Sequence, residues 1–180
     1  DIIFGGGGNV RWLHPWIGIV FAFAFLGLFL RFLPANLPEF TDFKWIAGLK
    51  HVLSGHDEYL PEVGKYNAGQ KLVFWIQAAL VPVMLLSGFL LWAPGLAWAE
   101  QMFAFKATID QKRLAALVHG VAAVGAIVVW IVHVYAAIWV RGTISAMTRG
   151  TVTGGWGWRH HRRWLKKEVA EGKASVTPAE

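Results

Sequence analysis

The chain has 180 residues, 56% of them hydrophobic and only 16% charged, too little charge for an ordinary soluble domain of this size. It has no cysteine, which excludes thiolate-held iron–sulfur clusters, disulfides and covalent c-type haem within it. The formal net charge is +6, and its placement argues for a membrane surface rather than nucleic acid, as the loops and tail show.

The opening residues include Gly5 to Gly8, a flexible lead-in that matches no phosphate-binding glycine motif. The chain starts on Asp1 rather than Met, so its beginning is expected to lie upstream. Between Arg11 and Arg31 the only ionisable residue is His14, and the apolar run is too long for a signal-peptide core, with no small-residue cleavage site after it. A first spanning helix is expected near 13–33, with Pro15 just inside its start and Trp12 and Trp16 at the interface. The segment 34–70 is a long loop whose middle, Phe43 to Leu53, is expected to form a short surface helix.

No charged residue falls between Lys71 and Glu100, which predicts a second span near 71–93, bent at Pro82 and ended by Pro94-Gly95. Between Arg113 and Arg141 the only ionisable residues are His119 and His133, and a third span is expected near 113–140. Each stretch approaches or exceeds the ~20 apolar residues that cross a bilayer. The tail 141–180 is basic, its last dozen residues expected to be disordered. The fold class is therefore an all-α membrane protein, a bundle of three transmembrane helices in one domain covering 1–180. The 34–70 loop and the tail share one side, which with the flanking Arg31 and Lys71 holds thirteen of the 17 Lys and Arg residues. By the positive-inside rule that side is cytoplasmic, in a multi-pass protein of the inner membrane, and the basic residues meet anionic lipid. Lys65, Lys71 and Arg141 are expected to snorkel to headgroups. The cluster Arg159-His160-His161-Arg162-Arg163 is expected to be a basic anchor.

Ionisable groups inside spans are costly and usually functional. His119 and His133 are 14 residues apart, about 21 Å along a helix and roughly 40° short of four full turns, so both share one face. Ala122, Ala123 and Ala126 between them leave room for a flat macrocycle. Two ligands at two depths suit two stacked haems, each iron needing a second histidine from another helix. The first and third spans run in the same direction, so His14 matches His119 in depth and is expected to share its iron near the periplasmic side. His133 would serve a second haem near the cytoplasmic side, its partner absent from this chain. The expected cofactor is haem b, one or two per chain. A haem-free membrane anchor or proton channel, its histidines relaying protons, is the alternative from another class.

The segment Val63-Gly64-Lys65-Tyr66-Asn67-Ala68-Gly69-Gln70-Lys71, with Phe74-Trp75, resembles the start of a core helix in the gamma (cytochrome b556) subunit of respiratory formate dehydrogenases. Leu13-His14-Pro15, His133-Val134-Tyr135, Trp139-Val140-Arg141-Gly142-Thr143-Ile144 and Trp158 to Trp164 are similar too, so the likeness runs from about residue 10 to 165. The resemblance implies four membrane helices and two b haems, the first helix, missing here, supplying the partner of His133. It implies electrons passing from a molybdenum- or tungsten-containing catalytic alpha subunit, where formate is oxidised, through an iron–sulfur beta subunit to the outer haem, the inner haem and then quinone. Quinone reduction would be the only chemistry completed on this chain. The quinone residues it implies are Asn67, Gly69, Gln70 and His133. Asn67 and Gln70 offer neutral donors and acceptors, and Gly69 permits close backbone approach. Residues alone equally permit Asn67 to be a helix cap. The cytochrome b subunit of a membrane-bound nickel–iron hydrogenase is the related alternative.

Overall fold

The computed structural model describes residues 5–140 and 142–174. No strand occurs among them, and three helices are long and apolar enough to cross a membrane. In chain order the helices are α1 (Gly7–Phe32), α2 (Phe40–Ala47), α3 (Leu49–Leu53), α4 (Ala68–Leu91), α5 (Ala93–Phe103), α6 (Ile109–Trp139), α7 (Thr143–Arg149), α8 (Gly154–His160) and α9 (Arg162–Ala170). Arg141, expected as an anchor, and residues 175–180 of the tail lie outside the described residues.

The helix ends follow local hydrogen bonding more than hydropathy. α4 starts at Ala68 because Asn67 and Gln70 cap it reciprocally: Asn67 Oδ1 accepts the Gln70 N–H at 3.0 Å, and Gln70 Oε1 accepts the Asn67 N–H at 2.9 Å. Thr108 and Gln111 do the same for α6, which therefore begins at Ile109 rather than near 113. α1 begins at Gly7, so Pro15 stands inside the helix rather than at its start. The backbone bond it removes is tolerated in an apolar span whose other groups remain paired. Pro94 does not end a loop-bound helix; it sits in the first turn of α5, behind Trp92 as the N-cap, where a missing N–H costs least. α5 thus occupies much of the expected loop. It closes on Ala104, whose φ of 52° is left-handed. The surface helix expected over Phe43–Leu53 is two helices, α2 and α3, divided at Gly48.

The chain divides into two compact units, Asp1–Phe32 with Ile76–Trp130, and Leu33–Trp75 with Ile131–Glu180. The first holds α1, α5 and most of α4 and α6. Its buried residues are small or branched (Val81, Ser87, Ala99, Ala115 and Ala122), while Val20, Phe23, Leu117 and Val121 are exposed. An apolar exterior over a thin core is what a lipid-facing bundle requires. The second unit has a core of Trp45, Val63 and Ala68 with Val52 and Leu60 against it. Trp75 donates its indole N–H to the Asn36 carbonyl at 2.9 Å.

Charge organises the second unit. Lys71 is 5% exposed and pairs with Asp42 at 2.9 Å and with Glu39 at 3.5 Å. It is a buried cross-tie between α4 and α2, not a snorkelling anchor, because carboxylates 29 and 32 residues upstream reach it. The basic tail is likewise paired within the fold. Arg163 bridges to Glu39, and Lys166 holds both oxygens of Glu62 at 2.8 and 2.9 Å. The Arg163 N–H donates to the Val63 carbonyl at 3.1 Å. His161 is buried and donates Nδ1–H to the Gly64 carbonyl at 3.0 Å. The cluster expected to be a basic anchor therefore fastens α8 and α9 to the segment before α4. α9 runs to Ala170, two residues into the dozen expected to be disordered.

Candidate functional site: a paired-histidine cavity

Within the first unit, α1 carries His14 and α6 carries His119, their ring centroids 6.1 Å apart with planes at 85°. Two metal–imidazole bonds of about 2 Å, with roughly 1 Å more from each nitrogen to its ring centre, span about the same distance. The separation therefore leaves room for both rings to hold one metal ion. His119 Nδ1 lies 3.0 Å from the Met84 carbonyl oxygen and 3.1 Å from Ser87 Oγ. A carbonyl only accepts, so Nδ1 carries the proton, and Nε2 keeps the lone pair that a metal needs. Ser87 Oγ is itself fixed by donating to the Val83 carbonyl at 2.6 Å.

The ring has room because position 88 is glycine. A Cβ there would stand 3.1 Å from His119 Cε1. The two histidines open onto a cavity of about 410 Å³ whose walls are Pro15, Gly18, Val81, Leu85, Phe89 and Trp92, among other apolar residues. Trp92 closes one side edge-on against Trp16 at 5.4 Å. An apolar slot lined by two histidines, one with its tautomer fixed, suits a flat macrocycle whose iron both would ligate. Haem would be held here by His14 and His119 and would supply reversible one-electron chemistry.

Met84, Ser87 and Gly88 were not among the expected site residues, because the second span contains no histidine. The available signal was Ser87-Gly88, a polar and a small residue together in a charge-free span, as helix interfaces in membranes use. His133 lies on α6 in the other unit, where it is exposed. Among the described residues no cluster of three or more His, Cys, Asp or Glu side chains is placed to hold a metal ion. His51 and His56 flank Tyr59, at 5.2 and 6.2 Å between ring centroids, on the partly exposed α3 and the turn after it.

The second unit has its own cavity of about 380 Å³, lined by Trp45, Leu60, Val63, Asn67, Trp139 and Val140 on one hand and by Glu62, Arg159, His160 and Arg162 on the other. Of the residues expected around quinone, Asn67 lines it. Gly69 lies under Trp45, where a Cβ would meet Cη2 at 3.2 Å. Gln70 spends its amide oxygen on the cap, and His133 is not in the lining. Asn67 both caps α4 and faces the cavity. Beside it, burial raises the Tyr66 hydroxyl above its usual range. Burial also tends to raise Glu39, but the Arg163 hydrogen bond and the charges of Lys71 and Arg163 outweigh it and hold the carboxyl low.

Comparison with known proteins gives the family. Residues 2–150 match the family described as prokaryotic cytochrome b561. The chain is 36% identical over 164 residues to the cytochrome b556(Fdn) subunit of the nitrate-inducible formate dehydrogenase of Escherichia coli K12, covering 91% of this chain and 72% of that protein. It is 38% identical over 166 residues to the cytochrome b556(fdo) subunit of formate dehydrogenase from the same strain, covering 91% and 74%. To the formate dehydrogenase cytochrome b556 subunit of Haemophilus influenzae it is 36% identical, covering 88% and 64%. With its helices, its facing histidines and matches of this extent, the chain belongs to the prokaryotic cytochrome b561 family.

Proposed function

We propose that this protein is the b-haem electron-transfer subunit of a membrane-bound formate dehydrogenase, delivering electrons to quinone at the cytoplasmic side. The observation that carries the haem assignment is the His14–His119 pair, 6.1 Å apart, with His119 Nδ1 bonded to a backbone carbonyl. The identity of 36–38% to formate dehydrogenase cytochrome b556 subunits supports the choice of complex. An iron–sulfur subunit would donate electrons, and a molybdenum- or tungsten-containing subunit would oxidise formate. His133 would ligate a second haem with a histidine from outside this chain.

Quinone is assigned to the cavity of the second unit. Its aromatic and aliphatic walls suit a flat ring, Asn67 offers an amide, and Trp139 stands six residues beyond His133 on α6. The thirteen basic residues on the side of the 34–70 loop and the tail support a cytoplasmic placement.

The test is a reduced-minus-oxidised spectrum of membranes containing the complex. Formate is expected to reduce a b-type haem, and added menadione or decylubiquinone to reoxidise it. Reduction by hydrogen instead, with nickel rather than molybdenum or tungsten co-purifying, would move the chain to a hydrogenase. A colourless protein would leave a membrane anchor.

A further inference from the structure

Of the residues lining the cavity assigned to quinone, the one histidine is His160, the last residue of α8; Trp45, Leu60 and Val63 line the same cavity. We propose that His160 is the proton donor to the substrate oxygen in this cavity, an inference that rests on the quinone assignment above.

Quinone reduction needs such a group. Each carbonyl oxygen gains one electron and one proton as C=O becomes C–OH. The two electrons are those the proposed transfer function supplies; the two protons must come from the protein or water. Among the groups lining the cavity, the others are poorly suited to giving protons. Glu62 is held ionised: the Lys166 hydrogen bond lowers its carboxyl, outweighing desolvation, and the charges of Lys166 and Arg162 lower it further. Arg159 and Arg162 do not deprotonate in the physiological range. Asn67 has no titratable proton. Imidazole is the side chain whose ordinary titration falls at the working pH. In the step, the His160 imidazolium passes its proton to the quinone oxygen, becomes neutral, and is recharged from water.

The surroundings position the ring for this. His160 packs against Trp156 at 5.3 Å between centroids, and Trp156 also contacts His161 at 5.1 Å. His161 is tied to the Gly64 carbonyl, so the end of α8 is fixed relative to the segment that leads to Asn67. The charged and titratable groups around His160 are Arg159 and His161 beside it in the chain, Arg162 on α9 and Glu62 on the facing segment, with Glu58 and Tyr59 on the turn packed against α8. Val52 and Gly55 of the cavity wall adjoin the partly exposed His51–Tyr59–His56 cluster in sequence.

The experiment compares wild type and His160→Gln in membranes carrying the whole complex. Formate reduces the haem, and reoxidation is timed after adding menadione or decylubiquinone across pH 6–9. In parallel, binding of the quinol analogue 2-heptyl-4-hydroxyquinoline N-oxide is followed by fluorescence quenching. The wild-type rate should fall as pH rises through the imidazole range. His160→Gln should cut the rate by about 10²-fold and flatten that fall, with haem content and quenching unchanged. Equal rates and pH profiles in the two proteins overturn the proton role and leave the quinone assignment standing. Loss of quenching in step with the rate also overturns it, making His160 a binding residue. If wild-type haem is reduced by formate and neither quinone reoxidises it, the assignment fails and the proposal with it. Should His160→Gln not assemble, Glu62→Gln decides. Removing that negative charge should move the alkaline fall to lower pH, and an unmoved fall overturns the proposal.

Discussion

The two units draw on the same two long helices, α4 and α6, but handle polarity differently. In the first, the spanning parts of α4 and α6 are apolar and small-residue-rich, and His119 is satisfied from helix to helix, by Ser87 and the Met84 carbonyl. In the second, the start of α4 is tied down by ionised groups, Lys71 to Asp42 and Glu39, with Arg163 closing the chain of charges onto Glu39. A metal-binding imidazole needs a fixed tautomer and an empty, low-dielectric slot. A region that handles protons needs water and charge. The contrast teaches that the histidines alone do not define the function of each region; the residues that orient them do.

The sharpest way to break the contrast is to fill the slot. Gly88→Val would drive a branched side chain into His119, whose Cε1 already stands 3.1 Å from the position of a Cβ. Most of the haem at this site should be lost, as read by pyridine haemochrome, while the second unit keeps its resistance to proteolysis. Next comes the buried ion pair. Lys71→Met leaves Asp42 charged and nearly enclosed, with side-chain exposures of 6% and 12% for the pair, and should destabilise the protein by about 3 kcal/mol. The double variant Lys71→Met with Asp42→Leu should recover most of that loss in thermal unfolding of the detergent-purified complex. Both singly and doubly substituted proteins should retain the His14–His119 haem, since that site lies in the other unit.

A smaller effect is expected with pH. Burial pushes His161 below its ordinary value of 6.5, against the hydrogen bond to Gly64 that favours the charged form, and neighbouring His160 lowers it further. Because the unfolded ring takes up a proton more readily than the folded one, the unfolded state binds more protons just below that value. The stability contributed by neutral His161 is therefore full above about pH 6.5 and falls as the pH drops toward the folded value. The melting temperature should decline over this interval, and His161→Gln, able to donate to Gly64 without titrating, should flatten the decline. An unchanged slope would remove His161 as the tether of the tail. The smallest effect belongs to Asn67. Its cap is worth about 1 kcal/mol; Asn67→Ser should keep that and still slow quinone reduction, whereas Asn67→Ala should lose both. Full quinone turnover in Asn67→Ser would reduce Asn67 to a cap.

The spans were legible because each is a charge-free or nearly charge-free run bounded by charged residues, and hydropathy reports burial in lipid directly. Their ends were less so: Asn67 with Gln70 and Thr108 with Gln111 extend α4 and α6 toward their N-termini, a local effect that hydropathy does not weigh. Pro94 was misread because proline ends one helix and begins another with equal ease. That His14 and His119 lie close together followed from depth alone. The supports of His119, Met84 through a backbone carbonyl and Gly88 through a missing side chain, carry no compositional signal. The role of the tail was hidden for a different reason. Lys71 and Arg163 read as lipid anchors by position, and only three-dimensional proximity brings Glu39 and Asp42, more than 25 residues away in sequence, to neutralise them.

The most direct test of the central claim is haem b counted per chain by pyridine haemochrome in the purified wild-type complex and in His119→Ala. The His14–His119 site predicts one equivalent fewer in the variant and no electron flow from formate to quinone. Equal haem content in the two proteins would contradict it.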